Sequence, residues 1–342
     1  MPTIRELARL LDLGRTTVSL ALRDDPEVAP ATRELVQAKA RELGYRPDAR
    51  VTQLMSYLRG AHGKRTRCNL AWFNTCGSRE EWQLPYLRDY LDGARAQAEK
   101  YGYAIDDIWV ADPSLRLARL PRLLSARGIE GVILPLIVND AFARHLDWSA
   151  HAFICIGDNS PELRVQRVAT NHLHNIHAAL RRVHALGYRR PALDYDQTTE
   201  ETTGTCIWEV FSFYQTTLFP DRPVPIWKSG LDPAFATWLH THRPDVIIAT
   251  NHWVLERVRS AGLRVPEDVA VVHLNLSNDT IGWAGISQNQ SILGRAAIDS
   301  LVAQLNRNER GIPPHPKEIT LRGDWIDGLT CPPRPAASGL SG

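Results

Sequence analysis

Residues 3–23 read Thr3-Ile-Arg-Glu-Leu-Ala-Arg-Leu-Leu-Asp-Leu-Gly-Arg-Thr-Thr-Val-Ser-Leu-Ala-Leu-Arg23, and their spacing decides how the N-terminal part folds. Ile4, Leu7, Ala8 and Leu11 fall at i, i+3, i+4 and i+7, which lines one face of a helix over about 4–11, with Thr3 placed to cap it. Asp12-Leu13-Gly14 breaks that pattern with residues that tolerate turns. Val18, Ala21 and Leu22 then supply the buried face of a second helix, which leaves Arg15, Thr16, Ser19 and Arg23 outward. A third helix is expected from Pro30, a favoured first-turn residue, with Val36, Ala40 and Leu43 inward and Gly44 ending it. A short helix offering polar side chains near its N-terminus suits the DNA major groove, where some side chains read base edges and others hold phosphates. Arg15, Thr16 and Leu20 fit the first task, and Thr3, Thr17, Ser19 and Arg23 the second. The solvated face of a small helical domain would use the same residue types.

Charge and composition narrow the choice. Residues 1–67 carry 13 Lys/Arg and 8 Asp/Glu, so the basic excess sits with these helices while the remainder is mildly acidic. Phosphate contacts release counterions and dominate non-specific affinity, so a basic head on an acidic body suits a protein that docks one end on DNA. At 342 residues and 44% hydrophobic content, the chain has room for two or three domains of roughly 100–200 residues each. It shows neither a leader-like start nor a run of ~18 apolar residues, so a cytoplasmic, non-membrane protein is expected. Five scattered cysteines, Cys68, Cys76, Cys155, Cys206 and Cys331, without a C-x-x-C pair, read as reduced thiols. His172-Leu-His174-Asn-Ile-His177 looks metal-like but lacks a carboxylate or cysteine at a confirming spacing, so no metal and no cofactor is expected. No G-x-S-x-G, P-loop or H-E-x-x-H sequence supports catalysis, and a non-enzyme is expected.

From Asn69 onward, strand-like and helix-like stretches alternate. Leu70–Phe73, Ala104–Val110, Val132–Leu136 and Phe153–Ile156 read as strands, with helices at Tyr86–Lys100 and Leu115–Ala126 between them. A second set follows, with a helix at Asn175–Ala185 and strands at Pro191–Tyr195, Asp245–Thr250 and Val269–Leu274. Such alternation builds parallel sheets covered on both faces, so two α/β lobes in series are expected. The Pro-, Gly- and Ser-rich segment 331–342 reads as a disordered tail without a leucine heptad. Trp148, Trp238, Trp253 and Trp283 read as core, and Trp82 and Trp208 as better candidates to face a ligand.

The head resembles that of the LacI/GalR family of bacterial transcription regulators in Thr3–Arg9, Arg15–Ser19, Val28 with Thr32-Arg33, and Leu43–Asp48. Leu84–Leu87 with Gly93, Tyr101–Tyr103, Gly128–Leu134, Ala185–Arg190 and Gly262–Val269 are similar to family landmarks in order and spacing. The resemblance implies a helix-turn-helix head over 1–47, a hinge helix and linker over 48–68, and a periplasmic-binding-protein-like core over 69–330. It implies a first lobe of about 69–157 plus 287–319 and a second of about 158–286 plus 320–330, with crossings near Gly157, Ser287 and Thr320. It places Leu54 as an apolar wedge in the minor groove of the operator centre, a role that unstacks a base step. It also places Asn74, Tyr86, Asn171, His172, Glu201, Asn251, Asn275 and Gln288 near an effector cleft, beyond the carboxyl ends of the strands.

Departures from the pattern affect specificity. Glu201 stands where the family usually has an arginine, and amides at Asn171 and Asn275 replace acids, so a guanidinium fork for anions is missing. Amides beside aromatic faces suit hydroxyls, which both donate and accept. A neutral sugar or sugar derivative is the expected effector, with a nucleoside or another non-sugar ligand as the alternative. Leu20 replaces a frequent arginine, which favours a thymine methyl over a guanine contact. Gly14 stands in place of a serine cap, and Asp12 in place of the turn glycine. The whole reads as a homodimeric, nucleoid-associated repressor of double-stranded operator DNA, with a solute-binding receptor as the reading from another class.

Overall fold

The computed structural model describes residues 4–22, 25, 27–43, 45, 68–135, 140–157, 163–195, 207–221, 223–228, 233–277 and 280–335. Thr3, Arg23, Leu54 and Glu201, and with them the expected hinge helix, lie outside these residues.

The head comprises α1 (Ile4–Leu10), α2 (Arg15–Ala21) and α3 (Pro30–Glu42). Leu7, Ala8, Val18, Ala21, Val28, Val36 and Ala40 form its buried core, as the spacing predicts. Asp12 adopts a left-handed conformation (φ 51°) at the turn, which aspartate tolerates better than most residues. Gln37 on α3 donates to the Ala21 carbonyl at 3.1 Å and satisfies one free acceptor at the end of α2.

In the body, the chain runs through β1 (Asn69–Asn74), α4 (Arg79–Trp82), α5 (Pro85–Lys100), β2 (Ala104–Trp109), α6 (Leu120–Ala126), β3 (Ile129–Pro135) and α7 (Asp140–Ala143). It continues with β4 (Ala152–Ile156), β5 (Gln166–Thr170), α8 (His172–Ala185), β6 (Pro191–Asp194), α9 (Ile207–Leu218), α10 (Phe235–His242) and β7 (Val246–Ala249). Then come α11 (Val254–Ser260), β8 (Ala270–Leu276), β9 (Ala284–Ser287), α12 (Gln290–Asn306), β10 (Glu318–Leu321) and β11 (Asp324–Ile326). A six-stranded parallel sheet has the order β10-β5-β4-β3-β1-β2. The second sheet has the order β11-β9-β8-β7-β6, parallel except for β11, which pairs antiparallel with β9. Central strands are buried throughout; all five residues of β4 and all four of β7 are inside. Each sheet carries a separate apolar cluster on each face, the condition under which parallel strands read as continuous hydrophobic runs.

Two expectations are corrected. The first crossing between lobes is at Thr170–Asn171 and not near Gly157, because β5 pairs with β4 and β10 in the first sheet. Its sequence, Gln-Arg-Val-Ala-Thr, is too polar to read as a buried strand, yet its Val168 and Ala169 are buried. The later crossings lie between Ser287 and Gln290 and between Leu321 and Asp324, close to those expected. The second correction concerns the tail. Cys331 is buried in the core of the second lobe, the Tyr188 hydroxyl donates to the Pro332 carbonyl at 2.8 Å, and Arg334 pairs with Asp245 at 3.1 Å. Residues 331–335 are therefore a strap on the lobe. Loop-like composition concealed it because Cys331 acts as a small hydrophobe and burial pushes its thiol up to about 12.

Candidate functional site

Burial of Val18 and Ala21 fixes the roll of α2 and turns Arg15 and Thr16 out to solvent. Gly14 precedes the helix in extended conformation and makes no side-chain cap, so the first-turn N–H groups of α2 gain no partner from it. Thr17 and Ser19 are half-buried. Leu20 is half-buried and packs partly against the head core.

Of the expected effector residues, Asn74, Asn171, His172, Asn251, Asn275 and Gln288 fall at the carboxyl ends of strands in both sheets, and most have internal tasks there. Asn74 closes β1, is buried, and its Oδ1 accepts from the Cys76 N–H at 3.1 Å. Asn171 caps α8, its side chain accepting from the His174 N–H at 2.9 Å. With β4 and β3 intervening, these two strand ends are about 14 Å apart at the usual spacing between strands. Gln288 spans the lobes: its Oε1 accepts from the Thr170 hydroxyl at 3.2 Å and its Nε2 donates to the Leu274 carbonyl at 2.9 Å. Asn275 Oδ1 accepts from Gln290 Nε2 at 2.7 Å. Gln288 and Asn275 thus help to build the crossing. Tyr86 lies in the first turn of α5.

His172 opens α8, and burial drives its imidazole down to about 4, although part of the residue remains accessible. The native protein then takes up the His172 proton only near pH 4, whereas the unfolded chain takes it up near 6.5. Between those values the unfolded state binds more protons, so stability falls as pH drops through this window. NMR titration is expected to show a His172 ring still neutral at pH 5.5, and His172→Gln is expected to flatten the acid-side loss of stability.

Sequence reasoning missed the most tightly knit polar group. Asp194, the last residue of β6, is fully buried, and its Oδ2 accepts from Arg257 Nη1 at 3.0 Å and from Asn251 Nδ2 at 3.1 Å. The Arg257 guanidinium lies 3.7 Å from the Phe235 ring centroid, a cation–π contact inside an aromatic group that includes Trp227 and Trp238. The legible signal was a charge on a buried face: an acid ending the run Pro191-Ala-Leu, and an arginine between Val254 and Val258. Beside this group, the His252 and His273 rings stand 4.7 Å apart, and Trp283 meets His273 edge-on. Trp148, Trp238 and Trp283 pack against cores as expected, but Trp253 is 41% exposed. Trp208 packs partly against the second-lobe core under Lys228, whose Nζ lies 4.2 Å from the ring centroid.

A groove of about 460 Å³ lies elsewhere, between α8 and α9, lined by Leu173, His177, Val210, Phe213 and Tyr214 among others. Its lining is mostly apolar and includes none of the expected effector residues among the described ones. Among the described residues, no helix is long and apolar enough to cross a membrane.

Comparison with known proteins supports both parts of the chain. Residues 3–48 match the model for bacterial regulatory proteins of the lacI family, and residues 176–330 match that for a periplasmic binding protein-like domain. The chain is 26% identical over 332 residues to the HTH-type transcriptional regulator CelR of Thermobifida fusca, covering 89% of this chain and 92% of that protein. It is 25% identical over 104 residues to the HTH-type transcriptional regulator MalR of Staphylococcus xylosus, covering 30% of this chain and 28% of that one. The solved structure of a CelR–cellobiose complex shares its fold with TM-score 0.59 and 21% identity, covering 96% of this chain and 100% of that one. The lac repressor dimer bound to operator and an anti-inducer matches with TM-score 0.57 and 17% identity, covering 96% and 99% of the two chains. The chain thus joins a head of the lacI type to a periplasmic-binding-protein-like domain, and over most of its length it is similar to an HTH-type transcriptional regulator.

Proposed function

We propose that this protein is an effector-controlled transcriptional repressor that binds a near-palindromic operator as a homodimer in the bacterial cytoplasm, at the nucleoid. The observation that carries the reading is a helix-turn-helix head, with Arg15 and Thr16 outward on α2, in one chain with a two-lobed α/β body. In this reading residues 1–47 are the head, 48–68 the hinge and linker with Leu54 as its wedge, and the remainder the effector-binding and dimerisation core. Arg15 and Thr16 read bases, with the outward part of Leu20 beside them, while Thr3, Thr17, Ser19 and Arg23 hold phosphates. Two heads related by a dyad occupy two half-sites on one face of the duplex. Exposed Ile281 and Leu329 lie beside the hydrogen bond from the Leu329 N–H to the Gly282 carbonyl and offer an apolar patch on the second lobe for the partner copy.

The effector is a neutral polar molecule, a sugar, held between the lobes by Asn74, Tyr86, Asn171, His172, Glu201, Asn251, Asn275 and Gln288. Cellobiose, present in the complex of the CelR relative, is the first ligand to test. Binding that differs between two lobe arrangements would bias the hinge and therefore the fit to DNA. Gel-shift titration over genomic fragments is expected to find a preferred site. Arg15→Ala is expected to weaken that site about 10- to 100-fold, the range for losing a good base contact. An unchanged affinity, or no fragment preferred over random DNA, sinks the reading.

A further inference from the structure

We infer that Arg257 and Asn251 together form a two-point recognition site for one neutral hydroxyl of the effector, and that Asp194 keeps this site from accepting an anion. The inference rests on the reading of the body as an effector-binding module, and it adds Arg257, which that reading did not contain.

The hydrogen-bond chemistry leaves little freedom. A carboxylate only accepts, so the side of Asn251 that faces Asp194 Oδ2 at 3.1 Å must be its Nδ2, and Oδ1 must point away. That Oδ1 is buried and has no hydrogen-bond partner among the described residues. Arg257 spends Nη1 on the same carboxylate, at 3.0 and 3.2 Å to its two oxygens, and its Nη2 is likewise buried without a partner among the described residues. One unsatisfied acceptor and one unsatisfied donor therefore belong to the two groups that share Asp194 Oδ2, with Asp194 and Asn251 at the carboxyl ends of adjacent strands β6 and β7 and Arg257 on the following α11. Ligands of open α/β sheets bind at such strand ends. A hydroxyl completes the group, because its oxygen accepts from Nη2 while its hydrogen is donated to Oδ1.

Charge selects among ligands. Asp194 already neutralises the guanidinium, and Asn251 presents an acceptor, so a carboxylate or phosphate at this point meets no net positive charge and faces a repelling oxygen. Phe235 fixes the guanidinium plane from one side, so Nη2 is held in place before the ligand arrives.

The test is calorimetric titration of the full-length protein with cellobiose, then with a panel of neutral mono- and disaccharides, and with glucuronate as an acidic counterpart. Arg257→Lys keeps a cation for Asp194 and removes Nη2; Asn251→Ala removes Oδ1; melting temperatures report whether each variant is folded. We expect wild type to bind a neutral sugar in preference to glucuronate and each single variant to bind it at least 10-fold more weakly. The double variant is expected to lose far less than the product of the two single losses, because both atoms serve one hydroxyl. Multiplicative losses, or wild-type affinity in a folded Arg257→Lys, overturn the inference and leave the effector reading standing. If Arg257→Lys does not fold, Asn251→Ala at wild-type affinity overturns it equally. A wild type that binds its operator but no neutral sugar sinks the sugar reading, and the inference falls with it.

Discussion

Asp194→Ala is expected to cost the second lobe about 3–5 kcal/mol, the usual penalty when one partner of a buried ion pair is removed and the other stays behind. Asp194 has no exposure and the Arg257 side chain 11%, so little water can replace the lost carboxylate. The loss is larger than a missing hydrogen bond because the guanidinium remains charged between Phe235 and the strand ends, and the Asn251 amide loses its acceptor as well. Urea unfolding of the full-length protein measures it. The double variant Asp194→Leu with Arg257→Met is expected to recover most of the stability, since a buried pair can be replaced by apolar groups of similar size at small cost. A single-variant loss below ~1 kcal/mol, the range for exposed pairs, would show that water reaches the pair in solution. The surface pair Arg264–Asp268 provides the contrast: its geometry is bidentate, but the arginine is 71% exposed. Alanine at Arg264 should change stability far less than alanine at Asp194, because solvent screens the exposed pair.

The second large effect is expected at the helix crossing beneath the first sheet. Gly93 on α5 and Gly294 on α12 face the backbone of the opposite helix: a Cβ on Gly93 would collide with the Ser291 carbonyl, and one on Gly294 with the Tyr90 carbonyl. Neither obstacle is a flexible side-chain end, so the helices must separate to admit even a methyl group. That separation loosens contacts of buried Leu91, Ala94, Leu293, Ala297 and Ile298 in the same cluster. Gly294→Ala is expected to cost about 2–3 kcal/mol, and Gly93→Val more, in spite of the better helix propensity of alanine, worth about 1 kcal/mol in the opposite direction. Thermal unfolding of the two variants against wild type decides it. A neutral Gly294→Ala would mean that the helices are not in contact at their glycines.

The fold was legible where burial imposes a period. In α1 to α3 the apolar spacing of Ile4, Leu7 and Ala8, and of Val18 and Ala21, named the core residues because a small helical domain has only one face to hide. The interior strands β1, β3, β4, β7 and β8 announced themselves as unbroken apolar runs, since both of their faces are covered. Edge strands lack that signature. In β10 and β11 most residues are exposed, and what makes them strands is pairing with β5 and β9 from far along the chain. The site was legible as a set of polar residues at strand ends but not as a set of contacts. Whether Asn171 caps a helix or faces a ligand depends on where the His174 amide lies, and whether Gln288 is available depends on Thr170, far away in sequence.

The sequence by itself therefore determined the head, the alternation that builds two parallel sheets, and the likeness to lacI-type regulators, because these rest on local periodicity and on ordered motifs. Only the tertiary structure decided where the chain changes lobes, that residues 331–335 are strapped to the body, and that Asp194, Asn251 and Arg257 share one buried polar group. The physical reason is the range of the interactions. Helix and strand periods are written within a few residues, whereas ladder pairing, ion pairing and burial of a lone polar atom depend on groups that meet only when the sheets have formed.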